Sequence, residues 1–393
     1  MSLLFLFTSI LLLCYSLMFL WVGHHNYHKT SLHQTRTIET EQKKFTVLVP
    51  FRNEAENMRD LINSLNEIKF SEKRFEVLFI DDHSQDNGLK ILEKYKETVK
   101  FSMRIIPLEK PEEYGKKQAI KRGIEQAKYP WIVTLDADSI VSRDWLISIE
   151  GILGKTSAEF VTGPVFFRQQ KGLLFQLQTT ELMALQALTR ASYSLRPLMS
   201  NGTNLVYSKR IFNAVSGFSG NLSISSGDDM FLMRKIWRHK KWALAYNNDW
   251  SGAVCTKASD SWRAYAAQQL RWMSKTSALK DPLLWLVAFI VFGTNTALVA
   301  CCLISLGLAL VAHANAAQFM LLTTLIFGGK FMVDHISLWL SYSKSSQNTS
   351  WSLSKINWSI QILAALTYPF WTLGLTLLSL GYRPRWKGRK IEV

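Results

Sequence analysis

The chain has 393 residues, of which 48% are hydrophobic, and a formal net charge of +16 at pH 7. This length exceeds that of one small domain and allows a large core with additional segments. Its four cysteines show neither metal-site spacing nor a disulfide framework, which argues against a disulfide-rich secreted protein.

The first predicted element is a membrane anchor over residues 1–23. The stretch SLLFLFTSILLLCYSLMFLWVG is uncharged and long enough to span a bilayer. It lacks the basic start and the small-residue cleavage site of a signal peptide, so we expect a retained helix. A basic linker over residues 24–44 follows.

Residues 45–280 are typical of an α/β domain. The predicted strands are KFTVLVP, RFEVLFIDD, FSMRIIPLE and WIVTL, and apolar residues at helical spacing lie between them. Asn53, with Glu56 three residues later, predicts the start of the first intervening helix. The alternation predicts right-handed crossovers and a mostly parallel sheet.

Polar clusters follow three of these strands. They are Pro50-Phe51-Arg52-Asn53-Glu54, Asp81-Asp82-His83-Ser84 and Asp136-Ala137-Asp138. A single Asp after a strand is usually a turn or a helix cap, but the carboxyl ends of parallel strands meet at one edge, where ligands bind. Two carboxylates as close as those of Asp136 and Asp138 repel unless a cation lies between them. Mg²⁺ prefers oxygen ligands and often shares them with substrate phosphates, so this edge predicts a metal–diphosphate site.

Three further apolar segments predict a C-terminal membrane bundle over residues 281–382. They cover about 283–312, 316–341 and 356–380, and the second contains Lys330, Asp334 and His335. Charge at the centre of a bilayer is costly. We therefore expect this segment either to be re-entrant or interfacial, or to face a protein-lined passage. A basic tail, residues 383–393, ends the chain.

Basic residues cluster where the chain would meet the bilayer. They follow the first span, precede the second and fill the tail: Lys29, Arg36, Lys43, Lys44, Arg271, Lys275, Lys280, Arg383, Arg385, Lys387, Arg389 and Lys390. Positive-inside topology and anionic lipid explain this pattern without nucleic acid. The rule places the α/β domain in the cytosol. Four full spans would leave the basic tail outside, which again suggests that one C-terminal segment does not cross.

Five motifs occur in a fixed order along the chain. They are Pro50…Glu54, Asp81-Asp82, Asp136-x-Asp138, Gly227-Asp228-Asp229 and Gln268-Gln269-Leu270-Arg271-Trp272. This order resembles the membrane-embedded family 2 glycosyltransferases, which include cellulose, chitin and hyaluronan synthases and glycolipid glucosyltransferases. The resemblance covers about residues 45–275. It implies a GT-A-type, Rossmann-like cytosolic domain at the cell membrane and an inverting transfer from a UDP-sugar.

The resemblance also implies a role for each matching residue. Asp229 would be the general base, and Asp138 would hold Mg²⁺ or Mn²⁺. Binding of the nucleotide-sugar would fall to Pro50, Glu54, Asp81, Asp82, Lys116 and Asp136. The acceptor and diphosphate side would be closed by Asp228, Gln268, Arg271 and Trp272. Lys121 departs from the family, which often has Asn there, and this puts the details of donor binding at that position in doubt.

Simpler interpretations of these residues remain open at this point. Asp228 or Asp229 is compatible with a helix N-cap, and the helix of Gln268, Arg271 and Trp272 with an interfacial segment. Asn204, in MSNGTNLVYSK, resembles the family's acceptor-side Gly-x-Asn, but the same residues suit a plain turn.

The first functional hypothesis is sugar transfer to a membrane lipid or a growing glycan. Within it, the Gln-x-x-Arg-Trp motif favours a processive polysaccharide synthase that extrudes its product. The short chain and few spans favour a lipid acceptor. A membrane transporter with a regulatory soluble domain and a non-catalytic binding subunit are the hypotheses from other classes.

Overall fold

The structure is a computed structural model that describes residues 2–29, 42–109, 113–221, 227–343, 358–382, 385–386 and 389–390. The α-helices within these ranges are α1 (Ser2–Lys29), α2 (Ala55–Asn66), α3 (Gly88–Tyr95), α4 (Lys116–Gln126), α5 (Trp145–Lys155), α6 (Leu173–Ser192), α7 (Lys209–Ala214), α8 (Asp228–His239), α9 (Trp262–Leu279), α10 (Pro282–Leu310), α11 (Ala316–Tyr342) and α12 (Trp358–Ser379). The strands are β1 (Phe45–Phe51), β2 (Phe75–Asp81), β3 (Ser102–Pro107), β4 (Trp131–Thr134), β5 (Ile140–Val141), β6 (Phe160–Thr162), β7 (Val165–Phe167), β8 (Leu205–Ser208), β9 (Leu244–Tyr246), β10 (Val254–Thr256), β11 (Arg385–Trp386) and β12 (Arg389–Lys390).

Seven strands form the main sheet in the order β3-β2-β1-β4-β8-β6-β9. Strands β1 to β4 pair in parallel, and β8 pairs antiparallel with both β4 and β6. All seven residues of β2 are buried, as expected of a strand covered on both faces. The four strands predicted from the sequence and the mostly parallel sheet are confirmed. A smaller sheet, β5-β10-β7, lies beside the main one.

Alternating side chains of the main strands build two cores. Val47 and Phe79 belong to the cluster that α2 and α5 cover, whereas Leu48 and Ile80 belong to the cluster that α4 and α8 cover. This division follows from the two-residue period of a strand. Packing against each face thereby fixes where the ends of these helices lie relative to the edge formed by the carboxyl ends of the strands.

The first crossover helix does not begin at the predicted cap. Helix α2 starts at Ala55, and the residue before it, Glu54, makes no side-chain cap hydrogen bond. Asn53 has a left-handed backbone with φ of 53°. Its Oδ1 atom accepts a hydrogen bond from the Gln85 amide at 2.8 Å. The prediction was wrong because the Asn53 side chain bonds the loop after β2. That loop becomes a neighbour of Asn53 only when the sheet has folded.

Three apolar helices form a bundle of alternating direction. Helix α1 runs parallel to α11: the Phe5 and Phe319 rings are 5.1 Å apart, and Ser337 donates to the Phe19 carbonyl at 2.6 Å. Helix α10 runs antiparallel to α1, since Leu11 lies beside Thr294 and Thr8 lies beside Cys301. Helices α1, α10, α11 and α12 are the four described helices that are long and apolar enough to cross a membrane.

The charged residues predicted inside the second C-terminal segment are paired within this bundle. Lys330 Nζ donates to Asp334 Oδ2 at 2.6 Å, and the Tyr15 hydroxyl donates to Asp334 Oδ1 at 2.6 Å. His335 contacts the Phe331 carbonyl at 2.8 Å. Helix α11 is continuous through these residues, which join it to α1.

A buried arginine joins the α/β domain to the bundle. Arg190, near the end of α6, is 2% exposed. Its guanidinium donates to Asn248 Oδ1 at 2.6 Å, to the Ser341 carbonyl at 3.1 Å and to the Asn26 carbonyl at 3.2 Å. The ends of α1 and α11 therefore meet at α6, beneath the domain.

The predicted segment boundaries are partly described. Residues 24–29 of the predicted linker 24–44 are helical, and residues 30–41 lie outside the described part of the chain. The predicted basic tail 383–393 also lies outside it, apart from the short pair of strands β11 and β12.

Candidate active site

The polar clusters predicted after β1, β2 and β4 meet at one edge of the main sheet. Pairing continues past the strand ends: the Asp82 amide donates to the Phe51 carbonyl at 2.9 Å, and the Leu135 amide donates to the Leu48 carbonyl at 3.0 Å. The three clusters therefore follow neighbouring strands at one level.

Lys116, at the start of α4, lies between the cluster that follows β4 and the start of α8. Its Nζ atom is 2.7 Å from Asp136 Oδ1 and 3.5 Å from Asp228 Oδ2. Burial alone lowers the pKa of Lys116, but Asp136, Asp228 and Asp229 together raise it above its ordinary value. Lys116 is therefore a fixed cation that connects the end of β4 to the start of α8.

Asp82 holds the loop that leads to this lysine. It is 1% exposed, and its Oδ2 atom accepts a hydrogen bond from the Gly115 amide at 3.0 Å. Gly115 has φ of 91°, a conformation that glycine adopts without a steric penalty. Asp81 turns to its own loop, where Oδ1 accepts from the Ser84 amide at 3.0 Å.

Asp138 occupies the most acidic part of the edge. Burial, followed by the charges of Asp136 and Glu54, raises its pKa to about 6, against a hydrogen bond from Thr256 and the charge of Lys116. Three carboxylates that oppose one another's ionisation favour a bound cation. Among the residues that the structure describes, no three His, Cys, Asp or Glu side chains form a ready-made metal site. A cation here would complete its coordination shell with oxygen atoms of a bound molecule or of water.

The acidic pair of the fourth motif opens α8. Gly227 is the N-cap residue, with φ of 79°, so neither Asp228 nor Asp229 occupies the cap position. The cap interpretation of these residues was wrong because this left-handed position suits glycine. Asp229 is 5% exposed and close enough to Tyr193 for its charge to add to the effect of burial in raising the pKa of that hydroxyl. The positive end of α8 stabilises both carboxylates.

Helix α9 brings Arg271 to the same edge. Burial lowers the pKa of Arg271, and the charges of Asp136, Asp138, Tyr382 and Asp228 oppose this shift. Arg271 therefore lies within electrostatic reach of the acids from two different elements.

The other two residues predicted on the same face of α9 have different surroundings. Gln268 Oε1 accepts from the Ser259 hydroxyl at 3.5 Å, and Trp272 is partly exposed. Pro50 is also partly exposed, within β1. Arg271 therefore lies near the acids of the sheet edge, whereas Gln268 contacts Ser259, which is not one of them.

The loop before β8 also frames the site, although the sequence allowed a plain turn there. The Thr203 hydroxyl accepts from the Asp136 amide at 3.1 Å. A Cβ atom on Gly202 would lie 3.3 Å from Lys116 Nζ and 3.6 Å from Asp228 Oδ2. Asn204 has a structural role. Its side chain donates to the carbonyls of Pro164 and Gly252 and accepts a hydrogen bond from Trp145 Nε1.

Part of the chain matches a known protein family. Residues 46–216 match the family described as glycosyl transferase family 2. Poly-beta-1,6-N-acetyl-D-glucosamine synthase of Staphylococcus aureus (strain COL) is 31% identical over 156 residues, which are 39% of this chain and 36% of that protein. The Staphylococcus epidermidis enzyme of the same name is 28% identical over 191 residues, 48% of this chain and 44% of that protein. Each match thus spans less than half of the relative.

One solved structure supports the fold. Mannosyltransferase PcManGT from Pyrobaculum calidifontis, in complex with GDP-Man and Mn²⁺, superposes with a TM-score of 0.53 at 16% identity. The alignment covers 84% of this chain and 99% of that one. The family resemblance and the GT-A-like core predicted from the sequence are confirmed.

Proposed function

We propose that this chain, whose residues 46–216 form a family 2 glycosyltransferase domain, transfers a sugar from a UDP-sugar to a hydroxyl group at a membrane. The observation that carries the proposal is the cluster around Lys116. The acid at the end of β4 and the two acids at the start of α8 act on this one cation, and Arg271 approaches from α9. Perturbed groups that converge in this way are typical of a catalytic site.

Asp229 is the proposed general base. It is buried near Lys116 and Tyr193, at the positive end of α8. Its carboxylate takes the proton of the acceptor hydroxyl as that oxygen bonds to the donor's anomeric carbon. The bond from this carbon to the diphosphate oxygen breaks, and the configuration inverts. The nucleoside diphosphate leaves with the electron pair.

Arg271 and Lys116 are the proposed partners of the diphosphate. Both lie within reach of Asp136 and Asp228, so both cations face the place where negative charge develops. The planar guanidinium of arginine suits two phosphate oxygens at once. Asp82, with Asp81, Glu54 and Pro50, is the proposed nucleoside side; Asp228, Gln268 and Trp272 belong to the proposed acceptor and diphosphate side.

Asp138 is the residue that would hold Mg²⁺ or Mn²⁺, with Asp136 on the donor side. The pKa of Asp138, raised by burial and neighbouring acids, fits a position that a cation would neutralise. When bound, the ion would neutralise charge on the leaving diphosphate. The ion would thus add positive charge beside Asp138, whose ionisation Asp136 and Glu54 oppose.

The acceptor separates two forms of this function. The names of the staphylococcal relatives favour a growing glycan, and N-acetylglucosamine is therefore the first sugar to test. The alternative is a single addition to a membrane lipid. Extraction of the radiolabelled product into organic solvent indicates a lipid acceptor, whereas a broad size distribution indicates a polymer.

Helix α12 suggests how the chain is placed in the membrane. Ala364 and Trp371 of this helix pack with Tyr265 of α9. Tyr382, three residues beyond its end, acts electrostatically on Arg271. Ala364, Trp371 and Tyr382 therefore lie beside the catalytic domain.

We propose that α1, α10 and α11 span the membrane and that α12 is interfacial or re-entrant, in place of α11. The domain and the basic tail then share the cytosolic side, as the distribution of charge predicts. The test is a pair of topology reporters, one fused after Val393 and one inserted at Ala314. We expect the first to report a cytosolic position and the second an external one; the reverse at Val393 contradicts the proposal.

The decisive experiment uses purified full-length protein with a panel of UDP-sugars, Mn²⁺ or Mg²⁺ and a membrane lipid extract. Release of UDP together with labelled product supports the proposed transfer. Transport of solute without UDP release supports a transporter. UDP binding with no turnover, unchanged in Asp229→Asn, supports a non-catalytic subunit.

A further inference from the structure

Helix α6 directs a carboxyl group into the contact between α9 and α12. Glu181 Oε2 accepts hydrogen bonds from the Tyr265 hydroxyl and from Gln269 Nε2, the latter at 2.6 Å. Tyr368 of α12 gives a further hydrogen bond to the same carboxyl group. Three elements that are distant in sequence thus share this one side chain.

A second residue of α6 fixes the chain just before α9. Gln178 Nε2 donates to the Ser259 carbonyl at 3.0 Å, and the Ser259 amide donates to Gln178 Oε1 at 2.9 Å. Gln178 and Glu181 are three residues apart, so they lie on one face of α6. This face of α6 therefore bonds both the segment that precedes α9 and the first turns of α9.

The part of α9 that is held in this way leads directly to the catalytic edge. Arg271 follows Gln269 by two residues and acts on Asp136 and Asp138. Tyr265 also stacks on Trp371 of α12, with ring centroids 5.2 Å apart and an interplanar angle of 1°. A shift of α9 along α6 or α12 would carry Arg271 away from the acids.

We propose that Glu181 is a positioning residue for sugar transfer, which holds α9, and with it Arg271, in register with the donor site and with α12. The inference rests on the proposed function for what Arg271 does there. Burial raises the pKa of Glu181 to about 7. The groups that face it are Tyr265 and Gln269 from α9 and Tyr368 from α12, whose ring lies 5.7 Å from Lys330 Nζ.

The kinetic test compares Glu181→Leu with Glu181→Gln in the full-length protein. Leucine accepts no hydrogen bond, so we expect kcat to fall about tenfold to a hundredfold, as for a misplacement near 1 Å, with a smaller change in KM for the donor. Glutamine keeps an acceptor oxygen and is expected to restore most of kcat. Glu93→Leu, a change of the same kind on exposed α3, is the matched control.

Two kinetic outcomes would overturn the proposal. One is a folded Glu181→Leu protein with the kcat of the wild type. The other is a Glu181→Gln protein as slow as Glu181→Leu, because the carboxylate would then act by its charge. Tyr368→Phe removes a single donor, so it provides a milder variant should Glu181→Leu fail to fold, and we expect an intermediate kcat.

A readout independent of turnover completes the test. Amide hydrogen exchange of residues 262–274 reports how firmly α9 is held. We expect faster exchange there in Glu181→Leu and Tyr368→Phe, with β1 and β2 unchanged. Equal exchange in all proteins would contradict the proposal. Should the wild type transfer no sugar from any donor, the proposed function fails, while this measurement still decides whether Glu181 holds α9.

Discussion

Charged side chains are arranged differently at the sheet edge and inside the helix bundle. At the edge, four carboxylates act on Lys116 and Arg271, the two cations that the structure describes among them; these acids are Asp136, Asp138, Asp228 and Asp229. A fifth carboxylate, that of Glu54, acts on Asp138. In the bundle, Lys330 faces Asp334 directly, with Tyr15 as a further donor to that carboxylate.

This difference separates the proposed ligand site from a structural joint. Like charges held together raise the energy of the chain by itself and become favourable when a cation or a proton arrives. In a matched ion pair within an apolar bundle, each charge is neutralised by another residue of the chain. Loss of one member leaves the other charge without a partner. We therefore expect changes at the edge to affect turnover and changes in the bundle to affect stability.

The largest expected effect is that of Asp229→Asn at the edge. Loss of a general base typically lowers turnover by about 10²–10⁴-fold, so kcat is expected to fall in this range. The amide keeps the size of the side chain, and UDP affinity should remain near that of the wild type. Initial rates and calorimetric UDP binding measure the two quantities. A kcat within threefold of the wild type would remove Asp229 from the proposed mechanism.

The next effect belongs to the bundle. Lys330→Met is expected to lower the free energy of unfolding by about 3–5 kcal/mol, because it leaves the carboxylate of Asp334, among the apolar helices, without its cation. The double variant Lys330→Met, Asp334→Leu should recover much of this loss. Denaturation in detergent measures stability, and kcat per folded molecule should be unchanged. A loss of turnover without a loss of stability would instead support a transport or proton-transfer role for the pair.

The stability of the protein is expected to depend on pH through Glu181. Its pKa is about 7 in the folded chain and ordinarily 4.5, so folding takes up a proton between these values. The stability that Glu181 contributes is therefore present below about pH 4.5 and is lost as the pH rises through 7. Glutamine does not titrate, so the Tm of Glu181→Gln relative to the wild type should rise from pH 5 to pH 8. Parallel Tm profiles would show that Glu181 has an ordinary pKa.

The smallest expected effect is that of Gly202→Ala. The added Cβ atom meets the flexible end of Lys116 at 3.3 Å, which can shift away from Asp136. We expect KM for the donor to rise about two- to fivefold, roughly 0.4–1 kcal/mol, with stability kept. Steady-state kinetics measure this change. Gly151→Ala, where a Cβ atom meets nothing within 4 Å, is the matched control.

Local patterns were sufficient for part of the structure. The apolar runs of β1, β2 and β4 and the acids at their ends follow from strand chemistry, so this edge could be predicted. Glu181 and Arg190 could not, because each is a single charged residue of α6 that belongs to no recognised motif. The polar pattern Gln176-x-Gln178-x-x-Glu181 was the available signal, and its partners in α9 and α12 exist only in the folded chain.

Two errors have the same origin. Asn53 was predicted to cap a helix, but its side chain instead bonds the Gln85 amide, which lies on the loop after the next strand. Asp228 and Asp229 suited a cap until the backbone of Gly227 placed that position one residue earlier. A cap is chosen by backbone angles and by competing partners, neither of which the sequence displays.

The joint at Arg190 has a consequence for how the protein is made. The same joint includes a hydrogen bond from Asn26 to Ser341, two residues 315 positions apart. At about 5–20 residues per second, a ribosome needs roughly 15–60 seconds to travel from one to the other. In the proposed topology, the first helix lies in the bilayer without α11 during that interval. Newly made chains should therefore be most vulnerable to membrane proteases until α11 emerges.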